Sequence, residues 1–280
     1  MDCVARGMLP SASYPDGSGP INTLVKNALQ EIFKRLHGRD LYVCAQVCRK
    51  WKLLVSDKAV RPFVLPTAAF GPEEWATYFG HVDAPAVPLD IHALLKSPCP
   101  FWPDKKIGET HMLVLIPESV NGRPMTLRYL RELIDTHRNA GTSLPGIPAK
   151  FEDIWQPILD QLGDTPIEES HYVLMTREPI PGSRNKSYAV QQALVVAQPG
   201  YRVPKLLETA ICILMQNIRS KPHSYSRNPW TYIRCEEQVH LLTARYQLVV
   251  GGFAPLLGGL LVFSHDFGRE DFGVAGLRMF

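Results

Sequence analysis

Residues 24–57 read LVKNALQEIFKRLHGRDLYVCAQVCRKWKLLVSD. Within them Leu29, Ile32, Phe33 and Leu36 fall at i, i+3, i+4 and i+7, which puts all four on one face of a helix. Gly38 is placed to end that helix and Asp40 to cap the next, whose Leu41, Cys44, Ala45 and Cys48 repeat the same spacing. Trp51, Leu54 and Val55 carry the stripe into a third short helix. A segment this short cannot bury so large a stripe alone, so the stripe packs on the rest of the chain or faces a partner.

The pattern resembles the F-box, the module through which substrate receptors dock on the Skp adaptor of cullin-RING ubiquitin ligases. The paired apolar residues of that motif fall on Ile32 and Phe33, its next Leu on Leu36 and its Asp-Leu on Asp40 and Leu41. Its Val-Cys-(Arg/Lys)-x-Trp falls on Val47, Cys48, Arg49 and Trp51. The resemblance implies that Leu24, Leu29, Ile32, Phe33, Leu36, Leu41, Val47 and Trp51 contact the adaptor. Two positions depart from the pattern. The usual opening Leu-Pro is Leu24-Val25, which lacks the proline that would fix φ at the helix start, and Ala28 replaces a larger aliphatic residue. The competing reading of the same stripe is an ordinary three-helix subdomain packed on its own chain. Charge favours docking. Between Ile21 and Pro66 there are nine Lys or Arg and three Asp or Glu, whereas the whole chain is only +3. A basic module steers toward an acidic partner, and the Skp adaptors that the resemblance implies are acidic. Nucleic acid is not the expected partner, because no helix-turn-helix, zinc-finger or aromatic-rich basic pattern accompanies the charge.

A chain of 280 residues holds a small module and a domain of ordinary size. We read residues 1–20 as a disordered Ser/Pro/Gly-rich segment, 21–66 as the F-box and 67–280 as a mixed α+β target-binding domain. Residues 1–20 have no apolar core of the sort a secretory signal peptide needs. The strongest apolar run, Leu248–Phe263, is broken by four glycines and a proline, so no membrane span is expected. Six scattered cysteines form no Cys-x-x-Cys, which suggests buried thiols in a reducing cytoplasm rather than a metal site or a disulfide framework.

Beyond Pro66 the sequence predicts a short helix in FGPEEWATYFG (70–80), with Pro72 in the first turn and Trp75, Tyr78 and Phe79 as anchors. A proline-rich loop follows through Trp102-Pro103. HMLVLIP (111–117) and HYVLMT (171–176) read as buried strands, and Asn121-Gly122 as a tight turn. Leu127–Arg138 is an amphipathic helix with Leu127, Leu130, Leu133 and Ile134 on one face. Ser187 caps a helix over 187–197, and Val203–Ser220 is the longest helix, apolar nearly all round and therefore central. The C-terminal stretch alternates strands and glycine turns. No internal repeat is present, which removes leucine-rich and propeller receptor domains.

No phosphate-binding glycine loop or nucleophile elbow occurs, and the chain is read as a non-enzyme without cofactor or metal. Loop 181–188, PGSRNKSY, offers Arg184 and Lys186 ahead of a helix start, an arrangement that could hold an anion but is more commonly a solvated basic loop. Cys235 with His223 or His240 could form a Cys-His pair only if the fold brought them together. FGPEEWATYFG, SPCPFWP, HMLVLIP, PGSRNKSYA, NPWTYIRC and GVAGLRMF resemble segments of an expanded group of F-box-bearing proteins in chlamydia-like bacteria of amoebae. That resemblance implies a bacterial effector secreted into the host cytosol. The expected function is thus a substrate receptor joining an unknown protein target to the Skp adaptor and cullin complex. The alternatives are an effector whose C-terminal domain is an enzyme, and an interaction protein whose F-box-like helices are structural.

Overall fold

The computed structural model describes residues 69–88, 90–139, 151–219, 231–241, 243–251, 259–265 and 268–280. All of them belong to one compact unit, Leu65–Phe280. The stripe from Leu24 to Val55 lies outside the described residues, as do His223 and Gly252–Gly258.

Two sheets form the framework. Helix α1 (Pro72–Tyr78) leads, by way of the short helices α2 (Ile91–Lys96) and α3 (Ile107–Thr110), into strand β1 (His111–Ile116). β1 pairs antiparallel with β5 (His171–Thr176), whose other edge takes β10 (Leu277–Met279), also antiparallel. Every residue of β1 and β5 is buried, as expected of unbroken apolar runs covered on both faces. The second sheet has the order β4 (Phe151–Ile154), β8 (Leu260–Ser264), β7 (Ala244–Gly251), β6 (Tyr232–Leu241) and β9 (Phe272–Val274). Its outer pairs are parallel and its inner pairs antiparallel.

Helix α7 (Leu206–Arg219) is the element common to both sheets, packing on β1 as well as on β6 and β7. Contact with both sheets explains why nearly all of it is buried, with Ala210, Ile211, Cys212, Leu214, Met215 and Ile218 fully so. It starts three residues later than the sequence suggests. Pro204 biases Val203 away from helical backbone, so the helix opens at Leu206.

Local chemistry sets the smaller elements. In α1 the Gly71 amide donates to Glu74 Oε2 at 2.8 Å, and the buried Trp75 indole donates to the Leu115 carbonyl at 3.0 Å, fastening the helix to β1. Asn121 and Gly122, at φ 53° and 76°, form the left-handed pair that closes the hairpin of β2 (Ser119–Val120) and β3 (Arg123–Pro124). Asn121 Oδ1 then accepts from the His81 amide at 2.9 Å. Helix α4 (Leu127–Asn139) buries Leu127, Leu130 and Ile134, with Leu133 half-buried beside them. Helix α5 (Gln156–Leu162) follows β4. The architecture is α+β. Where the sequence suggested only a proline-rich loop, α2 and α3 intervene; at six and four residues they are too short for a helical period to register.

Candidate functional site

At the start of α7, Glu208 is the third helical residue, where a carboxylate can reach back to the capping amide. Its Oε2 accepts from the Lys205 amide at 2.9 Å. The same carboxylate receives both arms of the Arg202 guanidinium, at 2.8 and 2.6 Å, and His171 Nε2 at 3.2 Å. Glu208 is 2% exposed, yet each of its oxygens has donors. Burial alone would raise its pKa, but the His171 and Arg202 hydrogen bonds outweigh it and hold the carboxyl at about 2. His171 Nδ1 faces the Glu169 carbonyl at 2.9 Å, so both ring nitrogens face acceptors and both carry protons. Burial opposes that charge, but the bonds to Glu208 and Glu169 raise the His171 pKa. The cluster is a clamp in which one carboxylate joins β5, the approach to α7 and α7 itself.

Beside it Glu237 accepts from the Leu206 amide at 2.8 Å. Burial, helped by the neighbouring charges of Glu208 and Glu236, pushes its carboxyl up to about 7 despite that bond. His111 is the opposite case. It is buried with Nδ1 2.8 Å from Thr110 Oγ1, and burial pulls its pKa down to about 4, so its ring is neutral.

The loop before helix α6 (Tyr188–Val196) turns through two left-handed residues, Gly182 and Asn185. Arg184 donates to the Glu270 carbonyl at 2.9 Å and to Thr231 Oγ1 at 2.6 Å, so its guanidinium binds the loop to its neighbours. Lys186 is exposed; its carbonyl accepts from Arg234 at 3.1 Å. Ser187 caps α6, as expected, accepting from the Val190 amide at 3.5 Å.

The docking of α6 is unusual. Beneath it Gln191, fully buried, donates to the Ser183 carbonyl at 2.7 Å and to the Phe272 carbonyl at 3.2 Å, and accepts from the buried Arg234 at 3.3 Å. Val195 packs with Ile180, Tyr201, Val203 and Val274. Outward stand Val190, Leu194 and Val196, 47%, 36% and 58% exposed.

The thiol of Cys235 is wholly buried, 3.6 Å from Thr209 Oγ1, and burial drives its pKa well above the ordinary value. His240 is exposed, so the Cys235–His240 pairing does not form; His223 lies outside the described residues. Among the described residues no group of three or more His, Cys, Asp or Glu is placed to hold a metal ion. Among them, too, no helix is long and apolar enough to cross a membrane. The adaptor-facing residues expected at Leu24, Leu29, Ile32, Phe33, Leu36, Leu41, Val47 and Trp51 lie outside the described residues. The sequence reading had not singled out Glu208, Arg202, His171, Gln191 or Arg234. Glu208 falls in the first turn only because the helix opens at Leu206 rather than at Val203.

Residues 27–60 match the family model described as F-box-like. F-box segments generally bind Skp-type adaptors, so this stretch is a protein-interaction module. No curated protein and no solved structure matches the chain.

Proposed function

We propose that this chain is a substrate receptor: its F-box-like segment docks a Skp-type adaptor of a cullin-RING ubiquitin ligase, and Leu65–Phe280 holds a protein target. The observation that carries this reading is the F-box-like match over 27–60, which spans the Ile32-Phe33 pair, the Asp40-Leu41 cap and the Val47-Cys48-Arg49-x-Trp51 sequence. The excess of positive charge in the same stretch adds support, since it suits an acidic adaptor. In this reading the chain carries no catalysis of its own, and ubiquitin transfer belongs to the associated subunits. The segment resemblances to F-box-bearing proteins of chlamydia-like bacteria support the finer reading, an effector acting in the cytosol of a eukaryotic host.

The decisive experiment measures binding of the full chain to a purified Skp-type adaptor, with and without Phe33→Ala. A central aromatic anchor of this kind contributes roughly 2 kcal/mol or more, so the variant should weaken the complex about thirtyfold while its melting temperature stays put. Loss of thermal stability in step with binding points instead to Phe33 packing in the protein's own core. An absence of wild-type binding at micromolar adaptor ends the receptor reading, and co-purification of adaptor and cullin from host-cell lysate tests the assembly as a whole.

A further inference from the structure

Asn121-Gly122 is the single Asn-Gly dipeptide in the sequence. An asparagine followed by glycine can react with itself, because the second residue has no side chain to keep its amide nitrogen from the asparagine carboxamide. The Gly122 nitrogen attacks Asn121 Cγ and gives up its proton, the Cγ–Nδ2 bond breaks, ammonia leaves and a cyclic succinimide remains. Water then opens the ring at one carbonyl to give aspartate, or at the other to give isoaspartate, whose main chain runs through the former side chain. Water is the only co-reactant.

The fold keeps the two reacting groups apart. Asn121 is exposed, so water reaches it, yet its carboxamide is tied at both ends: Oδ1 accepts from the His81 amide at 2.9 Å and Nδ2 donates to the Phe79 carbonyl at 3.3 Å. Its own amide donates to the His81 carbonyl at 2.8 Å. Cγ therefore cannot swing toward the Gly122 nitrogen without breaking both side-chain bonds. Gly80 completes the clamp: at φ 135° it lays bare backbone against the carboxamide, and a Cβ there would collide with Nδ2, Oδ1 and Cγ together. The clamp is a shallow one. It rests on a hairpin of two residues per strand whose Arg123 and Pro124 are exposed, and residues 80–88, which it grips, have no helix or strand of their own. Elements held by so few bonds open locally far more often than a domain unfolds.

We propose that Asn121 is a conformation-gated deamidation site: its bonds to Phe79 and His81 withhold it from reaction, local opening releases it, and the product keeps the contact from re-forming. Aspartate has no N–H for the Phe79 carbonyl and sets a negative oxygen against it, whereas isoaspartate adds a backbone atom to the turn and puts β2 and β3 out of register. The test incubates the full chain in mildly alkaline buffer, folded or unfolded in urea, and follows Asn121 by peptide mapping and mass spectrometry. Folded wild type should deamidate at least about tenfold more slowly than the unfolded chain. Gly80→Ala crowds the carboxamide, and His81→Pro deletes the amide that holds Oδ1 at a position whose side chain is 82% exposed, so both should react faster than folded wild type. Gly122→Ala hinders the attack and should slow the unfolded chain. In the purified isoaspartyl product the His81 amide should exchange with deuterium about tenfold faster or more. Equal rates in folded and unfolded wild type overturn the proposal, and so does a slow wild type matched by both variants, which would assign the protection to the domain as a whole. Unchanged exchange in the product overturns the one-way release. Where a variant fails to fold, wild type in urea below its unfolding transition replaces it: a shallow rise in rate with tryptophan fluorescence unchanged supports the gate, and a rise that tracks global unfolding overturns it.

Discussion

Replacing Glu208 by Gln removes the charge at the hub of the His171–Arg202 clamp while keeping its size. Lowering a carboxyl from the ordinary 4.5 to about 2 corresponds to roughly 3 kcal/mol of preference for the charged form in the folded protein, at about 1.4 kcal/mol per unit. Glu208 is 2% exposed, so little water is available to screen it, although Arg202, 31% exposed, will regain part of its hydration in the variant. We expect Glu208→Gln to lower the unfolding free energy at pH 7 by about 2–3 kcal/mol, read from urea midpoints followed by tryptophan fluorescence. The pH dependence gives a second, independent reading. A depressed carboxyl contributes stability that is present above its unfolded pKa and is lost as pH falls from 4.5 toward 2, so the wild type should lose it there and the variant should run flatter. His171 works in the other direction: its raised pKa contributes stability present below 6.5 and lost as pH rises through the folded value. Without Glu208 that value should drop, which the imidazole proton resonances report directly. A variant within about 0.5 kcal/mol of wild type, with the same slope between pH 4.5 and 2, would show that the cluster is not ionised as described.

Glu237→Gln keeps an acceptor for the Leu206 amide but cannot ionise. Because the folded pKa is raised to about 7, the wild type loses stability as pH rises from 4.5 through 7, so the variant should be more stable at pH 8 by about 1–3 kcal/mol and lack that slope. Native Cys235 should resist a thiol-reactive reagent until the protein unfolds, because its thiol is buried and its pKa is raised; rapid labelling of Cys235 in native protein would revive the enzyme alternative. Val25→Pro restores the proline of the F-box pattern and should tighten adaptor binding by a few tenths to about 1 kcal/mol, measured by calorimetry. Lost binding or unfolding would mean that the alignment of Leu24-Val25 onto the pattern is wrong.

The elements legible in the sequence are those with one dominant local signal. HMLVLI and HYVLMT are unbroken apolar runs and become buried strands; Asn121-Gly122 supplies the positive φ that its turn requires; Ser187 supplies an acceptor where α6 begins. Strand β6 escaped because its period breaks. Tyr232, Ile233, Arg234 and Cys235 are buried in succession, Arg234 would read as a surface residue, and the register against β7 shifts between Arg234 and Gln238. Strand β4 and helix α5 are too short to show a period. The Glu208 clamp could not be read, because its His171 partner lies on a strand 37 residues earlier and only the fold makes them neighbours. For α6 the capped helix is legible but not the seating of Gln191 beside Val195, which depends on Arg234 and on the Ser183 and Phe272 carbonyls that only the fold brings together.

That orientation has an energetic meaning. Tyr188, Gln191 and Val195 fall at i, i+3 and i+7 and make the inward face, so the Gln191 bonds, at about 1 kcal/mol apiece, act beside the burial of Val195. Arg234 makes the arrangement specific. Its guanidinium binds Gln191 Oε1 and the Lys186 carbonyl together, so the helix and the loop ahead of it are held as one piece. Rotating α6 to bury Val190 and Leu194 would expose Val195 and strip Arg234 and the Ser183 and Phe272 carbonyls of those bonds in a buried setting, at a desolvation cost of about 1–3 kcal/mol for each group left unsatisfied. The polar base thus fixes the rotation of α6, with Val195 inward and Val190 and Leu194 outward.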